Sequence, residues 1–256
     1  MLFADKLDPD KIRPKTKRIG TKIVVFDSTS STNDIAARYG SDASNDGLVI
    51  FAEMQTAGRG RGTNQWVSPK GMSVLCSVVL AETTVDSELL SLTCAVAVAE
   101  AVGHQAKIKW PNDIIFNGRK VAGILLESKQ QNGRTAFIMG VGVNCHQTGE
   151  DFPDELRDVA TSLDIEAGSV CDRNVVAKRL LSSIEHWLGF AEKKSKKVLK
   201  RWRKLSTLLN QRVALVYDEK QFAGTCIGID PQKGLILQLD TGAVRFFDAG
   251  HTSILK

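Results

Sequence analysis

Cysteine is scarce in this 256-residue chain: Cys76, Cys94, Cys145, Cys171 and Cys226 are odd in number, widely spaced and contain no CxxC pair. That pattern argues against a disulfide framework and against a structural zinc site, and it fits a reducing compartment. The four histidines, His104, His146, His186 and His251, show no HExxH or other paired spacing, so nothing suggests a zinc hydrolase. Each stands alone and reads as a surface or capping residue. No apolar run approaches the roughly 18 residues of a membrane span. The longest, Met72–Ala81 and Cys94–Val102, read as a buried strand and a buried helix. The N-terminus lacks the apolar core of a signal peptide and carries Asp5, Asp8 and Asp10, which a transit peptide would avoid. A soluble, cytoplasmic protein is the expectation.

What is present is enough for a sizeable core: 43% of residues are hydrophobic and 25% charged. The net charge of +5 is modest, and much of the excess lies in Lys193–Lys204 (KKSKKVLKRWRK). Such a run could touch nucleic acid, but a solvated helix face is the simpler account. Residues 1–20 read as a polar leader that buries little, so removing Met1–Lys17 is expected to leave catalysis unchanged. Strands are expected over Lys22–Phe26, Gly47–Gln55, Met72–Leu80, Lys107–Trp110, Asp113–Phe116, Lys120–Ser128 and Arg134–Asn144, with a tight turn at Asn117-Gly118. Helices are expected over Thr32–Tyr39, Asp86–Val102, Asp172–Glu192 and Ser195–Asn210, the first with Ser31 as N-cap. From Gln211 the chain turns to five short β-branched runs, which suggest a small barrel. The expected division is a 21–208 main domain and a 209–256 terminal domain, with the boundary near Thr207–Asn210.

Three segments carry chemistry. Gln55-Thr-Ala-Gly-Arg-Gly-Arg-Gly-Thr-Asn-Gln-Trp66 alternates Gly and Arg, leaving backbone N–H groups open to an anion beside two guanidiniums. It is neither a Walker A loop nor a full dinucleotide fingerprint. A surface loop or an RNA-binding Gly-Arg segment remains the alternative. Lys107-Ile-Lys-Trp-Pro-Asn-Asp113 puts Asn112 and Asp113 at a strand–turn junction. Lys120 follows at the mouth of a buried run, as a snorkelling surface residue or a site cation. Asp27-Ser-Thr-Ser-Ser-Thr-Asn33 clusters hydroxyls and an amide at a helix start, suited to a polar uncharged group, although capping and turn formation could account for it.

Together these segments resemble the biotin protein ligase family. The resemblance rests on Ser31-Thr32-Asn33, the Gln55…Gly58-Arg-Gly-Arg61…Trp66 loop, Lys109-Trp-Pro-Asn-Asp113, Gly118-Arg-Lys-Val-Ala-Gly-Ile-Leu-Leu126 and Gly140-Val-Gly-Val-Asn144, all in the family's order. It covers Phe26 to the C-terminus. It implies an α+β fold: a class II synthetase-like catalytic domain, with a mixed sheet and helices on one side, then a C-terminal SH3-like β-barrel. It further implies that biotin and MgATP form biotinyl-5′-adenylate, which a lysine of a biotin carboxyl carrier protein then attacks.

By the same resemblance, Ser31, Thr32, Asn33 and Gln55 would hold the ureido ring. Arg59, Gly60 and Arg61 would close over biotin and the α-phosphate, and Lys120 would contact the biotin carboxylate. Trp66 would stack near the adenine, with Lys109, Asn112 and Asn144 lining the nucleotide side. Asp113 would sit near the carrier lysine or help hold Mg²⁺. Bringing a carboxylate to a phosphate needs positive charge, and a labile anhydride needs water kept out, so cations and a lid suit the reaction. Thr63 and Asn64 stand where the family often has Gly-Arg, which removes one loop cation. About twenty residues precede the first strand, so neither a winged helix nor DNA binding is expected. A homodimer through a sheet edge follows from family analogy alone. Arg212 or Arg245 could approach ATP phosphates from the terminal domain. A lipoate ligase is the nearest rival, and it has no need of a ureido-binding cluster.

Overall fold

The run Ser73–Leu80 (SVLCSVVL) has no charge and can be covered on both faces. In the computed structural model, which describes residues 5–131 and 134–255, each of its residues is buried. It is the third strand of a seven-stranded sheet ordered β1 (Ile23–Phe26), β2 (Val49–Ala52), β3 (Ser73–Leu80), β7 (Arg134–Asn144), β6 (Arg119–Gln131), β5 (Asp113–Phe116) and β4 (Lys107–Lys109). β1 and β2 run parallel, and every other neighbouring pair is antiparallel, so the sheet is mixed as expected. The β5–β6 hairpin turns at Asn117 and Gly118, both with positive φ (47° and 82°).

Helix α3 (Ser87–Val102) starts where the Asp86 carboxylate accepts the Leu89 N–H at 2.8 Å. It packs with α5 (Arg173–Leu205) against one face of the sheet, over Val49, Phe51, Val78, Leu80 and Met139. A break at Lys194 (φ −148°) divides α5 between the two helices expected there. The residues that alternate with those core positions, Ile50, Val79 and Ile138, face the other way. They are covered by Ala36 of α2 (Thr32–Tyr39). The helices are therefore not confined to one side: strand alternation makes both faces of β2 and β3 apolar, and α2 closes the second. Ser31 occupies the N-cap position of α2 without a side-chain capping bond, which frees its hydroxyl.

The terminal strands form a second, wholly antiparallel sheet. Its order is β11 (Val244–Phe247), β10 (Gly234–Leu239), β9 (Lys220–Asp230), β8 (Arg212–Tyr217), β12 (Thr252–Ile254), consistent with an SH3-like fold. Its inward residues, among them Leu215, Leu235 and Phe247, belong to the same buried cluster as α3 and α5. No helix among the described residues is long and apolar enough to cross a membrane.

The expectation that the leader buries little is corrected. Leu7, Ile12 (in α1, Pro9–Ile12) and Ile19 are buried in the main core. Glu53 accepts the Leu7 N–H at 2.7 Å, and Glu185 accepts the N–H groups of Lys17, Arg18 and Ile19. Asp5 lies 3.0 Å from Arg173 Nε, whose guanidinium also meets Glu53 at 2.8 Å. Three apolar residues this far apart make no periodic pattern, which hides the segment from a reading based on hydrophobic repeats.

Candidate functional site

The site is laid out by strand register. Leu75, Gly142, Gly123, Asp113 and Lys109 are successive cross-strand partners on β3, β7, β6, β5 and β4, so they share one face of the sheet. The neighbouring row on that face is Ser77, Gly140 and Leu125. Glycine at 123, 140 and 142 leaves a bare backbone floor. A Cβ on Gly142 would come within 2.5 Å of Trp66 Cε2, and one on Gly123 within 2.8 Å of Trp66 Cζ3. Trp66 therefore lies flat against backbone where any larger residue would lift it.

At one end of this floor lies the polar cluster. Gln55 Oε1 accepts from the Thr32 backbone N–H at 2.7 Å and from its hydroxyl at 3.0 Å. Ser77 Oγ lies 2.7 Å from Thr32 Oγ1 and 2.5 Å from Asn33 Oδ1. Asn33 Nδ2 donates to Glu127 at 2.6 Å. All of these groups are neutral except Glu127, so the cluster can bind an uncharged polar ring by hydrogen bonds.

At the other end stands Lys120. Lys120 Nζ lies 2.6 Å from Asp113 Oδ1 and 5.6 Å from the Trp66 ring centroid. The Gly-Arg loop folds back as a hairpin: Trp66 N–H donates to Gly58 O at 3.0 Å and Gly60 N–H to Asn64 O at 2.8 Å. The Asn64 amide closes the tip on Arg61 O at 3.0 Å, a local role for one residue that departs from the family pattern. Arg59 pairs with Asp34 at 2.8 Å and with Glu127 at 2.9 Å. Arg61 donates to the backbone carbonyls of Ala249 and Thr252, which ties the loop to the terminal sheet. Burial pulls the Arg61 pKa down, against the opposing pull of Asp113 and Asp248. A guanidinium nevertheless stays charged in a folded protein.

The residues that the resemblance assigns to biotin and ATP line one cavity of about 940 Å³: Ser31, Thr32, Asn33, Gln55, Arg59, Gly60, Arg61, Trp66, Lys109, Asn112, Asp113, Lys120 and Asn144. Asn112 is fixed by Ile124, donating to its carbonyl at 3.1 Å, and Asn144 by Thr161 O at 3.0 Å. Asp113 is the carboxylate among the lining residues. With substrate phosphates it suits Mg²⁺, which commonly takes one or two carboxylates beside phosphate oxygens.

Sequence reading overlooked Ser77 and Glu127. Both had a signal: Ser77 is the hydroxyl inside an otherwise apolar strand core, and Glu127 alternates onto the face of Gly123 and Leu125. It also missed the approach of the terminal sheet, whose Gly250 and Ser253 line the cavity. Two readings are corrected. Arg212 pairs with Asp240 and Arg245 lies over Phe222, and neither is a lining residue. His146 is buried between Asp5 and Asp164 rather than at the surface.

Residues 25–144 match the family model described as the biotin/lipoate A/B protein ligase family. The chain is 33% identical over 254 residues to the bifunctional ligase/repressor BirA of Bacillus subtilis, covering 95% of this chain and 78% of that protein. It is 35% identical over 201 residues to the biotin–[acetyl-CoA-carboxylase] ligase of Mycobacterium tuberculosis, covering 70% of this chain and 73% of that one. Among solved structures, the biotin protein ligase from Aquifex aeolicus in complex with biotin and ATP superposes with a TM-score of 0.78 at 27% identity, covering 92% of this chain and 99% of that one.

Proposed function

The chain belongs to the biotin/lipoate A/B protein ligase family and joins biotin to a carboxylase carrier protein using ATP, and we propose how its cavity divides that work. Ser31, Thr32, Asn33 and Gln55 hold the ureido ring through neutral hydrogen bonds, with Ser77 and Glu127 orienting the Thr32 hydroxyl and the Asn33 amide from behind. The acyl chain runs from this cluster toward Lys120. There the biotin carboxylate attacks the α-phosphorus of ATP, pyrophosphate leaves, and biotinyl-5′-adenylate forms. Lys120, with Arg59, Gly60 and Arg61 from the loop, offsets the negative charge that gathers as two anions meet. Arg59 must leave Asp34 and Glu127 to do so, which couples loop movement to substrate arrival. Trp66, Lys109, Asn112 and Asn144 form the nucleotide side.

Asp113 and the phosphates would hold Mg²⁺, which supplies charge neutralisation. After adenylation the same carboxylate faces the incoming carrier lysine, whose amine attacks the acyl carbon while AMP departs. The terminal sheet forms a separate 209–256 domain that closes the cavity rim. The reaction is assigned to the cytoplasm, and a homodimer through a sheet edge rests on family analogy alone. DNA plays no part in this reading.

The observation that carries the reading is the placement of an uncharged polar cluster and a paired lysine at opposite ends of one glycine-floored cavity. The test is to incubate the chain with biotin, MgATP and a carrier domain and to measure the intact mass of the carrier. A gain of one biotinyl group is expected, and none with lipoate. An unmodified carrier, or lipoylation in place of biotinylation, would refute the assignment.

A further inference from the structure

Away from the catalytic cavity, three segments converge on the buried ring of His146. This residue follows the end of β7. Asp164 lies on the short helix α4 (Leu163–Ala167), and Cys171 lies just before α5. A ring nitrogen of His146, a carboxylate oxygen of Asp164 and the Cys171 sulfur all lie within 4.8 Å of one another. The His146 side chain is fully buried, with Nδ1 2.7 Å from Asp164 Oδ2 and Nε2 2.9 Å from Asp5 Oδ2. The other Asp164 oxygen accepts the Cys171 backbone N–H at 2.8 Å, which fixes the carboxylate relative to the thiol.

We propose that His146, Asp164 and Cys171 form a site for one thiophilic divalent cation, best matched by Zn²⁺, outside the catalytic cavity. Zinc bonds of about 2.0–2.3 Å set tetrahedral ligands roughly 3–4 Å apart, so the 4.8 Å limit leaves only a small contraction and the Nδ1–Asp164 pair a small opening. The three donors are nitrogen, oxygen and sulfur, and a water completes the tetrahedron. Asp5 on the far ring nitrogen is the outer carboxylate that commonly orients a metal-bound imidazole. Charge favours a cation too. Asp5, Glu53 and Asp164 bring three carboxylates here, and the Arg173 guanidinium is engaged by Asp5 and Glu53. Without metal, the Cys145 thiol, burial and Asp164 all hold the Cys171 thiol protonated, so zinc must displace that proton. Imidazole and thiolate donors disfavour Mg²⁺, which separates this site from the ion carried with ATP. The spacing of His146, Asp164 and Cys171 fits no short metal motif, and the site exists only once the chain is folded.

A metal here would join the leader through Asp5, the end of β7 and the segment leading into α5. It is a clasp, so its readout is binding and stability rather than turnover. The full-length protein, reduced to keep Cys145 and Cys171 as thiols and stripped with chelator, is titrated with ZnCl₂ against a chromophoric chelator. One zinc per chain at micromolar affinity or tighter is expected, with a Tm rise of several degrees at saturation. MgCl₂ should reproduce neither effect. Cobalt should give a thiolate-to-metal charge-transfer band. Cys171→Ser should abolish that band and weaken zinc binding about a hundredfold, a scale consistent with losing a zinc ligand. Asp164→Asn serves as a second variant, and His251→Asn, at an exposed histidine, should change nothing. Less than one zinc per chain, a cobalt spectrum without the thiolate band, or Cys171→Ser binding zinc like the parent would overturn the proposal.

Discussion

Replacing Lys120 with Met separates the cost to the fold from the cost to the chemistry. The Lys120–Asp113 pair is 2.6 Å long, but its side chains are 35% and 29% exposed. Solvent screening therefore limits its contribution to stability to about 1 kcal/mol at most. Met keeps the aliphatic stem over Trp66, so Tm should fall by no more than about 4 °C, given roughly 2–4 °C per kcal/mol for a chain of this size. The adenylation step should respond very differently. Losing one preorganised charge donor in a partly enclosed site costs about 2.7–4 kcal/mol in the transition state, or roughly 10²–10³ in rate. The Asp113 carboxylate, left without its partner beside the phosphates, adds repulsion in the same direction. A pyrophosphate-release assay at saturating biotin and MgATP measures the loss. Lys120→Arg should retain more activity than Lys120→Met. Release from Lys120→Met within about threefold of the parent, under 1 kcal/mol, would show that this amine does not serve the transition state.

Three other outcomes follow from the same geometry. Gly142→Ala puts a Cβ about 1 Å too close to the Trp66 ring, so overpacking should cost about 1–3 kcal/mol and raise the KM for ATP; an unchanged Tm and KM would show that the ring is not held against the floor. Burial raises the Asp5 pKa, but the Arg173 backbone N–H, His146 and the Arg173 guanidinium outweigh it and hold it below its ordinary 3.8. Asp5 therefore stabilises the fold above about pH 4, and that contribution is lost as pH falls through the depressed value. Asp5→Asn should lower stability near pH 7 by on the order of 3 kcal/mol, the scale for breaking a buried pair, and flatten the acid limb of a denaturation–pH curve; an unaltered limb would count against the pairing. Arg61→Gly removes a guanidinium that lines the cavity and, with no ligand bound, bonds the Ala249 and Thr252 carbonyls. The adenylate should then escape about tenfold to a hundredfold faster, for 1.5–3 kcal/mol of charge-assisted bonding, and biotin should appear on bystander albumin in a blot; labelling confined to the carrier would count against the latch.

The legible parts of the chain were those whose signal is local. The charge-free strand β3, the Asn117-Gly118 turn and the Asp86-capped helix each announce themselves within a short window, and their observed bounds differ from expectation by a few residues. The candidate site residues were legible for another reason: their order resembles that of a known family, and strand register brings Gly142, Gly123, Asp113 and Lys109 to one face. The leader was not legible, because Leu7, Ile12 and Ile19 gain their meaning only from the surface they cover. His146 was misread on the same ground. Its partners Asp5 and Asp164 lie far along the chain in both directions, and no spacing rule connects them.

Arg61 shows why a residue can be identified from sequence while its partners cannot. An alternating Gly-Arg segment signals a cation on a permissive backbone, and permissive backbone does not fix where the side chain points. In the folded chain Arg61 reaches the carbonyls of Ala249, before β12, and Thr252, its first residue, while Arg59, two residues earlier, turns to Asp34 and Glu127. The two guanidiniums thus hold opposite sides of one hairpin, one to the terminal sheet and one to α2 and β6. A phosphate arriving between them competes with neutral carbonyl oxygens for Arg61 and with two carboxylates for Arg59. Charge-assisted bonds to an anion are roughly twice as strong as those to neutral acceptors. Arg61 can therefore exchange partners at a gain, whereas Arg59 trades carboxylates for phosphate at near balance. On that ground we expect phosphate to draw Arg61 from its carbonyls more readily than Arg59 from its carboxylates.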